Sequence, residues 1–128
     1  MSHLAKYTLE FPINSSVNIL YNRLSTSSGL SEWFADDVII NDKIFTFFWD
    51  GSNQKAKLLK LKMNRFIRFK WEESNAVEDY FEFLIQVDEM TSDVSLIITD
   101  FAEDEQDQKE QTELWNKQIS VLKGAIGS

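Results

Sequence analysis

The chain has 128 residues, 43% hydrophobic and 27% charged, with four Gly and one Pro, a make-up that suits one folded domain over residues 1–128 and excludes a collagenous, loop-dominated or disordered chain. It contains no cysteine, which excludes a disulfide framework, a thiol nucleophile and a zinc ribbon. Thirteen basic against 21 acidic residues give a net charge of −8, a field that repels phosphate backbones and anionic lipid, so nucleic acid is not an expected partner.

The start, Met1 to Lys6, lacks the charged-then-apolar pattern of a signal peptide. No apolar run approaches the ~18 residues that cross a bilayer, so neither membrane insertion nor any address but the cytoplasm is expected. Leu4 to Phe11 then alternates, with Ala5, Tyr7, Leu9 and Phe11 on one side and Lys6, Thr8 and Glu10 on the other, the period of a half-buried strand. Pro12 ends it. Ser15 and Ser16 are N-cap candidates for a helix whose Val17, Leu20, Tyr21 and Leu24 share one face. The stretch Ser25–Gly29 breaks that helix, and Leu30–Phe34 reads as a second, short one.

From Asp37 the period changes to two. Val38–Ile40 leads through the turn pair Asn41-Asp42 into Ile44–Trp49, and Asp50–Asn53 is a further turn. Leu59, Leu61 and Met63 alternate with Lys60 and Lys62, and Ile67, Phe69 and Trp71 with Arg68 and Lys70. After a polar connection, Phe81, Phe83, Ile85 and Val87 form the next strand, and Val94, Leu96 and Ile98 the last. Short loops between successive strands make an antiparallel meander. The acidic run Glu103–Glu113 then suits a helix N-terminus, and Trp115, Ile119, Leu122 and Ile126 carry an apolar stripe along one long helix. The fold class is therefore α+β: a curved antiparallel sheet of about seven strands, two short helices after the first strand, and a long C-terminal helix covering the apolar face.

In this order and spacing the chain resembles the START-like, or helix-grip, superfamily, the birch-pollen-allergen-like fold. Within it the chain is most similar to the branch named for activators of the ATPase of the ninety-kilodalton heat-shock chaperone. The resemblance rests on the early strand and helix, Leu30-Ser31-Glu32-Trp33-Phe34, the strand ending Arg68-Phe69-Lys70-Trp71, the paired strands Tyr80–Val87 and Val94–Asp100, and the Trp115, Ile119, Leu122 stripe. The chain departs from many relatives in carrying Asn41-Asp42-Lys43 where they have a glycine pair. The resemblance implies a family that mostly binds hydrophobic molecules, with some members acting on chaperones and others cyclising polyketides. It supplies no shared catalytic motif.

The residues themselves offer little catalytic chemistry. The one imidazole is His3, in the N-terminal segment, so no Ser–His arrangement, no zinc site and no other metal site is expected, and no Gly-rich phosphate loop occurs. No cofactor is implied. Asp36-Asp37 reads either as a helix-to-strand turn or as an acid–base pair. Asp100, Glu103, Asp104, Glu105 and Asp107 read as a solvated helix start, because they lack the alternation of a calcium loop.

The large rings carry more information. Ten Phe, four Trp and three Tyr are many for this length, and a sheet wrapped on a helix is a default place for a ligand. Trp33, Phe34, Phe47, Trp49, Phe69, Trp71, Phe83, Trp115, Ile119 and Leu122 are the candidate pocket, or else simply the core. Lys55, Lys57, Lys60, Lys62, Arg65, Arg68 and Lys70 concentrate basic charge in one hairpin. They read either as a solvated, edge-guarding face or as a docking face in which Lys60, Lys62, Arg68 and Lys70 meet an acidic partner. The leading functional expectation is a non-enzymatic protein that holds a small apolar molecule or lipid. A docking module for a chaperone or other protein, and a cyclase-like enzyme using a pocket carboxylate or Tyr, are the alternatives. Both monomer and homodimer are compatible with the sequence.

Overall fold

The computed structural model describes residues 4–127, so His3 lies outside the described residues. Seven antiparallel strands form one curved, open sheet: β1 (Ala5–Pro12), β2 (Asp37–Asn41), β3 (Ile44–Trp49), β4 (Ser52–Lys62), β5 (Phe66–Trp71), β6 (Phe81–Val87) and β7 (Val94–Ala102). Their order is β1-β7-β6-β5-β4-β3-β2, a meander from β2 to β7 with β1 added beyond the last strand. Period-two alternation does what it should. Ile67 and Phe69 on β5, Phe81, Phe83 and Ile85 on β6, and Leu96 and Ile98 on β7 are all buried on one face.

Backbone geometry at the hairpins follows residue chemistry. Gly51 takes φ +79° between β3 and β4, and Asp42, Asn64 and Ser92 take positive φ in the other meander turns. Asp and Asn tolerate the left-handed region because their short polar side chains bond locally. The polar Asn41-Asp42-Lys43 thus turns the chain without a glycine pair.

Two elements differ from the sequence expectation. The second short helix, α2, is Ser27–Leu30 rather than Leu30–Phe34, and it follows α1 (Val17–Ser25) after a single residue. Thr26 between them accepts the Gly29 N–H on its Oγ1 at 2.9 Å and gives its own hydroxyl to the Asn22 carbonyl at 2.8 Å. A hydroxyl at an N-cap outweighs the poor helix propensity of Ser-Ser-Gly. The second difference is on β4, where the register against β5 shifts between Leu58 and Lys60. This bulge turns Leu59 off the inner face, and Leu59, Leu61 and Met63 are exposed.

Gly29 is buried where α2 crosses α1. A Cβ there would sit 2.3 Å from the Asn22 carbonyl oxygen and 2.6 Å from the Arg23 Cα. Backbone atoms cannot yield as a flexible side chain can. Gly29→Ala is therefore expected to destabilise the protein by about 3 kcal/mol, the upper end of overpacking costs, as read from urea denaturation midpoints.

The inner face is covered by three helices rather than by the long helix alone. α1 buries Leu20, Tyr21 and Leu24 and lies against β5 and β6, while α2 meets β2. α3 (Glu105–Ala125) lies against β7 and β1 and buries Trp115, Ile119 and Leu122. Its start is capped by Asp104, whose Oδ1 accepts the Asp107 N–H at 2.8 Å, while Asp107 accepts the Glu103 N–H at 2.9 Å. The acidic run therefore does stand at the positive end of a helix dipole. No helix among the described residues is long and apolar enough to cross a membrane.

Candidate ligand-binding cleft

Phe34 holds the interior together. Its ring lies 4.8 Å from that of Phe47, edge to face, and stacks at 5.9 Å on both Phe81 and Trp115. The space between Trp115 and the sheet is thus occupied by a side chain and is not a void. The Phe34 carbonyl oxygen accepts the Trp49 Nε1–H and the Gln118 side-chain N–H, each at 3.0 Å. One backbone atom thereby ties β3 and α3 to the segment after α2.

Beside this packed centre a cleft of about 470 Å³ opens, lined by Phe34, Trp49, Trp71 and Trp115 with Leu114 and Phe101. Its polar lining is Gln54, Asp79, Asp100, Gln111 and Gln118. Of the sequence candidates, the structure places Phe34, Trp49, Trp71 and Trp115 on the cleft wall. It places Phe47, Phe69, Phe83, Ile119 and Leu122 in the core behind it. Trp33 is buried and does not line the cleft; its ring lies 5.4 Å from that of Phe34 and its Nε1–H donates to the Arg23 carbonyl at 2.7 Å. A larger depression of about 650 Å³ lies at the β6–β7 turn and the end of β1, lined largely by polar side chains such as Glu10, Gln86, Asp88 and Asp93. It lacks aromatic walls.

The polar half of the cleft escaped the sequence reading. Asp100 is not part of the solvated helix start. It follows Leu96 and Ile98 in the inward parity of β7, and its cross-strand partner on β1 is Tyr7. Its Oδ2 accepts the Trp115 Nε1–H at 3.0 Å and its Oδ1 the Phe101 N–H at 2.8 Å. Tyr7, which is buried, donates its hydroxyl to Gln111 Oε1 at 2.5 Å.

Burial dominates the electrostatics here. Desolvation pushes the Asp100 carboxyl up to about 6, assisted by the negative charge of Asp79 and opposed by the Phe101 and Trp115 N–H donors. Burial, with the adjoining Asp100 charge next, also raises the Tyr7 hydroxyl well above its ordinary range. By contrast, Asp36 and Asp37 are exposed, and Asp37 accepts the following Val38 N–H at 2.9 Å, as a turn residue does. No cluster of metal-ligating side chains occurs among the described residues.

The basic hairpin divides in two. Arg68 pairs with Glu82 across the β5–β6 register at 2.8 Å and lies over the Tyr80 ring at 4.2 Å. The Lys70 ammonium donates to the backbone carbonyls of Ala76, Val77 and Asp79. Lys60 and Lys62 are exposed on β4, with Lys60 6.0 Å from the Phe66 ring centroid.

Comparison with known proteins agrees with this architecture. The model of the START-like superfamily domain matches residues 1–128. Among solved structures, protein BfR322 of Bacteroides fragilis shares 37% identity, over 98% of this chain and 92% of that one, with a TM-score of 0.68. The Aha1 dimer of Colwellia psychrerythraea is similar at 19% identity, over 95% of this chain and 96% of that one, with a TM-score of 0.77. DynU16, from the dynemicin biosynthetic locus, matches at 9% identity and a TM-score of 0.80, over 96% of this chain but 47% of its own. At such low identity the last two likenesses concern the fold alone. No curated protein matches the sequence significantly. With a whole-chain family match and a sheet gripping helices around a ring-lined cleft, this chain belongs to the START-like superfamily.

Proposed function

We propose that the cleft between the sheet and α3 binds a small, largely apolar molecule without converting it. The observation that carries this reading is the meeting of Phe34, Trp49, Trp71 and Trp115, from four separate parts of the chain, around one opening. A volume of about 470 Å³ falls within the roughly 300–1,000 Å³ of small-molecule sites, and apolar walls with a few convergent polar groups are their usual lining. Binding is tested by following the four indole N–H signals in NMR spectra while a panel of lipids and aromatic compounds is added. A ligand in the cleft should shift Trp49, Trp71 and Trp115 saturably and shift Trp33, which does not line the cleft, least. Absence of any saturable shift across the panel overturns the proposal.

The half-buried Asp100 carboxyl, pushed up to about 6 by desolvation, favours a second, catalytic reading, because a group that titrates near neutral pH can exchange a proton. Appearance of a product spectrum after mixing, in place of a stable bound state, would favour that alternative over binding.

The third reading is a docking face for an acidic protein surface, of the kind that the likeness to chaperone-ATPase activators suggests. Exposure of Lys57, Lys60 and Lys62 on β4 supports it. Reversing all three to Glu is expected to leave stability within about 0.5 kcal/mol, as exposed substitutions usually do, and to abolish capture of an acidic partner in a pull-down. Unchanged capture counts against that face.

A further inference from the structure

We propose that the molecule held in the cleft carries an ammonium group, recognised by the rings of Trp49, Trp71 and Trp115 together with the carboxylates of Asp79 and Asp100. This assignment rests on the cleft being a binding site and adds the chemical class of its occupant.

The argument begins with charge. Asp79 and Asp100 are the charged residues of the cleft lining, and no Lys, Arg or His stands with them. The ion pairs among the described residues are Arg23–Glu32 and Arg68–Glu82, so neither carboxylate is neutralised by one. The Lys70 ammonium donates to backbone carbonyls, that of Asp79 among them at 3.4 Å, and forms no ion pair with the Asp79 carboxylate, which accepts the Ser74 hydroxyl at 2.5 Å. The two acids act on each other, since the charge of Asp79 disfavours ionisation of Asp100. A cation between them relieves that repulsion, whereas a fatty acid or phosphate headgroup adds to it.

The second part is the walls. Trp49 and Trp71 lie 6.3 Å apart at an interplanar angle of 54°, and both are only half-buried. Two indoles on the wall of one cleft offer ring surface of the kind on which organic ammonium groups are bound. The net charge of −8 also draws cations toward the protein and repels anions. The groups acting on Asp100 are Tyr7 from β1, the Phe101 N–H on β7, Trp115 from α3, and Asp79 from the β5–β6 connection. None supplies a positive charge. Cation binding should therefore weaken as pH falls through the range in which Asp100 takes up a proton.

Three probes of nearly equal size test this on the full chain: 2-phenylethylammonium, 2-phenylethanol and phenylacetate, each titrated at pH 7.5 with the indole N–H signals as readout. The ammonium is expected to bind at least about tenfold more tightly than the alcohol, with phenylacetate weakest. In the Asp79→Asn/Asp100→Asn double variant the ammonium should fall to the affinity of the alcohol. Unchanged positions of the Trp33, Trp49 and Trp71 indole signals in the free variant report that the cleft is intact. Equal binding of alcohol and ammonium to the unmodified protein overturns the ammonium assignment and leaves the cleft as a binding site. Retention of the ammonium preference in the double variant overturns the role of the carboxylates. No saturable shift with any probe overturns both the assignment and the binding reading beneath it.

Discussion

Phe34→Ala is expected to lower the stability of the protein by about 3–5 kcal/mol, the range for truncating a buried Phe. Against a total of about 5–15 kcal/mol for an ordinary domain, that is enough to bring the fold close to its limit. The size of the effect follows from position. Phe34 is 3% exposed and touches rings from β3, β5, β6 and α3. Removing it takes dispersion contacts from both layers at once, and no single neighbour can move to fill the gap. The hydrogen bonds from Trp49 and Gln118 end on the Phe34 backbone oxygen, so the variant keeps them and the loss reports ring packing. Phe34→Leu retains most of the volume and should cost about 1–2 kcal/mol. Urea melts of both variants check the ratio. Equal, small losses would mean that Trp115 does not rest on the sheet through this ring.

Much of the architecture could be read from periodicity. Ile67, Phe69 and Trp71 against Arg68 and Lys70 is a strand pattern without ambiguity, and β5 runs Phe66–Trp71. Trp115, Ile119 and Leu122 at helical spacing are the three buried residues of α3. Periodicity fails where a local feature resets it. The Leu58-Leu59 pair gives no sign of which leucine faces inward, because the bulge that decides it arises from pairing with β5. The start of α2 is hidden in the sequence because Ser27-Ser28-Gly29 has low helix propensity, and the Thr26 cap geometry reveals it.

The candidate site was legible by half, and the division has a physical basis. Rings announce themselves by residue type, but whether a ring is wall or core depends on what lies behind it. Phe47 and Trp49 share a parity on β3, yet Phe47 is fully buried and Trp49 borders the opening. The polar members were hidden by composition. Asp100 precedes a run of acids and reads as one of them, although the parity of Leu96 and Ile98 points it inward. Tyr7 has the parity of Leu9 and Phe11 on β1, but that it stands across from Asp100 depends on the register of β1 against β7. Among the lysines and arginines, parity told which side they face. It did not tell that Arg68 meets Glu82, since that depends on strand register.

Asp100→Asn is expected to stabilise the protein at neutral pH and to lose that advantage in acid. The folded carboxyl titrates at about 6 against 3.8 for the unconstrained group. The native state therefore binds more protons than the unfolded one between these values, and stability falls as pH rises through them. Below 3.8 both states are neutral and nothing is lost. Above 6 the fold must hold an ionised, desolvated carboxylate, which at about 1.4 kcal/mol per pH unit amounts to at most about 3 kcal/mol. Asparagine removes that charge but keeps only one oxygen. The Phe101 and Trp115 N–H groups donate to different oxygens of the aspartate, so one of them is left without its acceptor, at about 1 kcal/mol. The net expectation is a gain of about 2 kcal/mol at pH 7.5 that disappears by pH 4. Urea midpoints of both proteins at the two pH values measure it, and the other titrating groups cancel in the comparison. The same difference at both pH values would show that Asp100 is solvated rather than desolvated. Local rules of stability are most often broken at functional sites, and Asp100 lies in the cleft proposed to capture a cation.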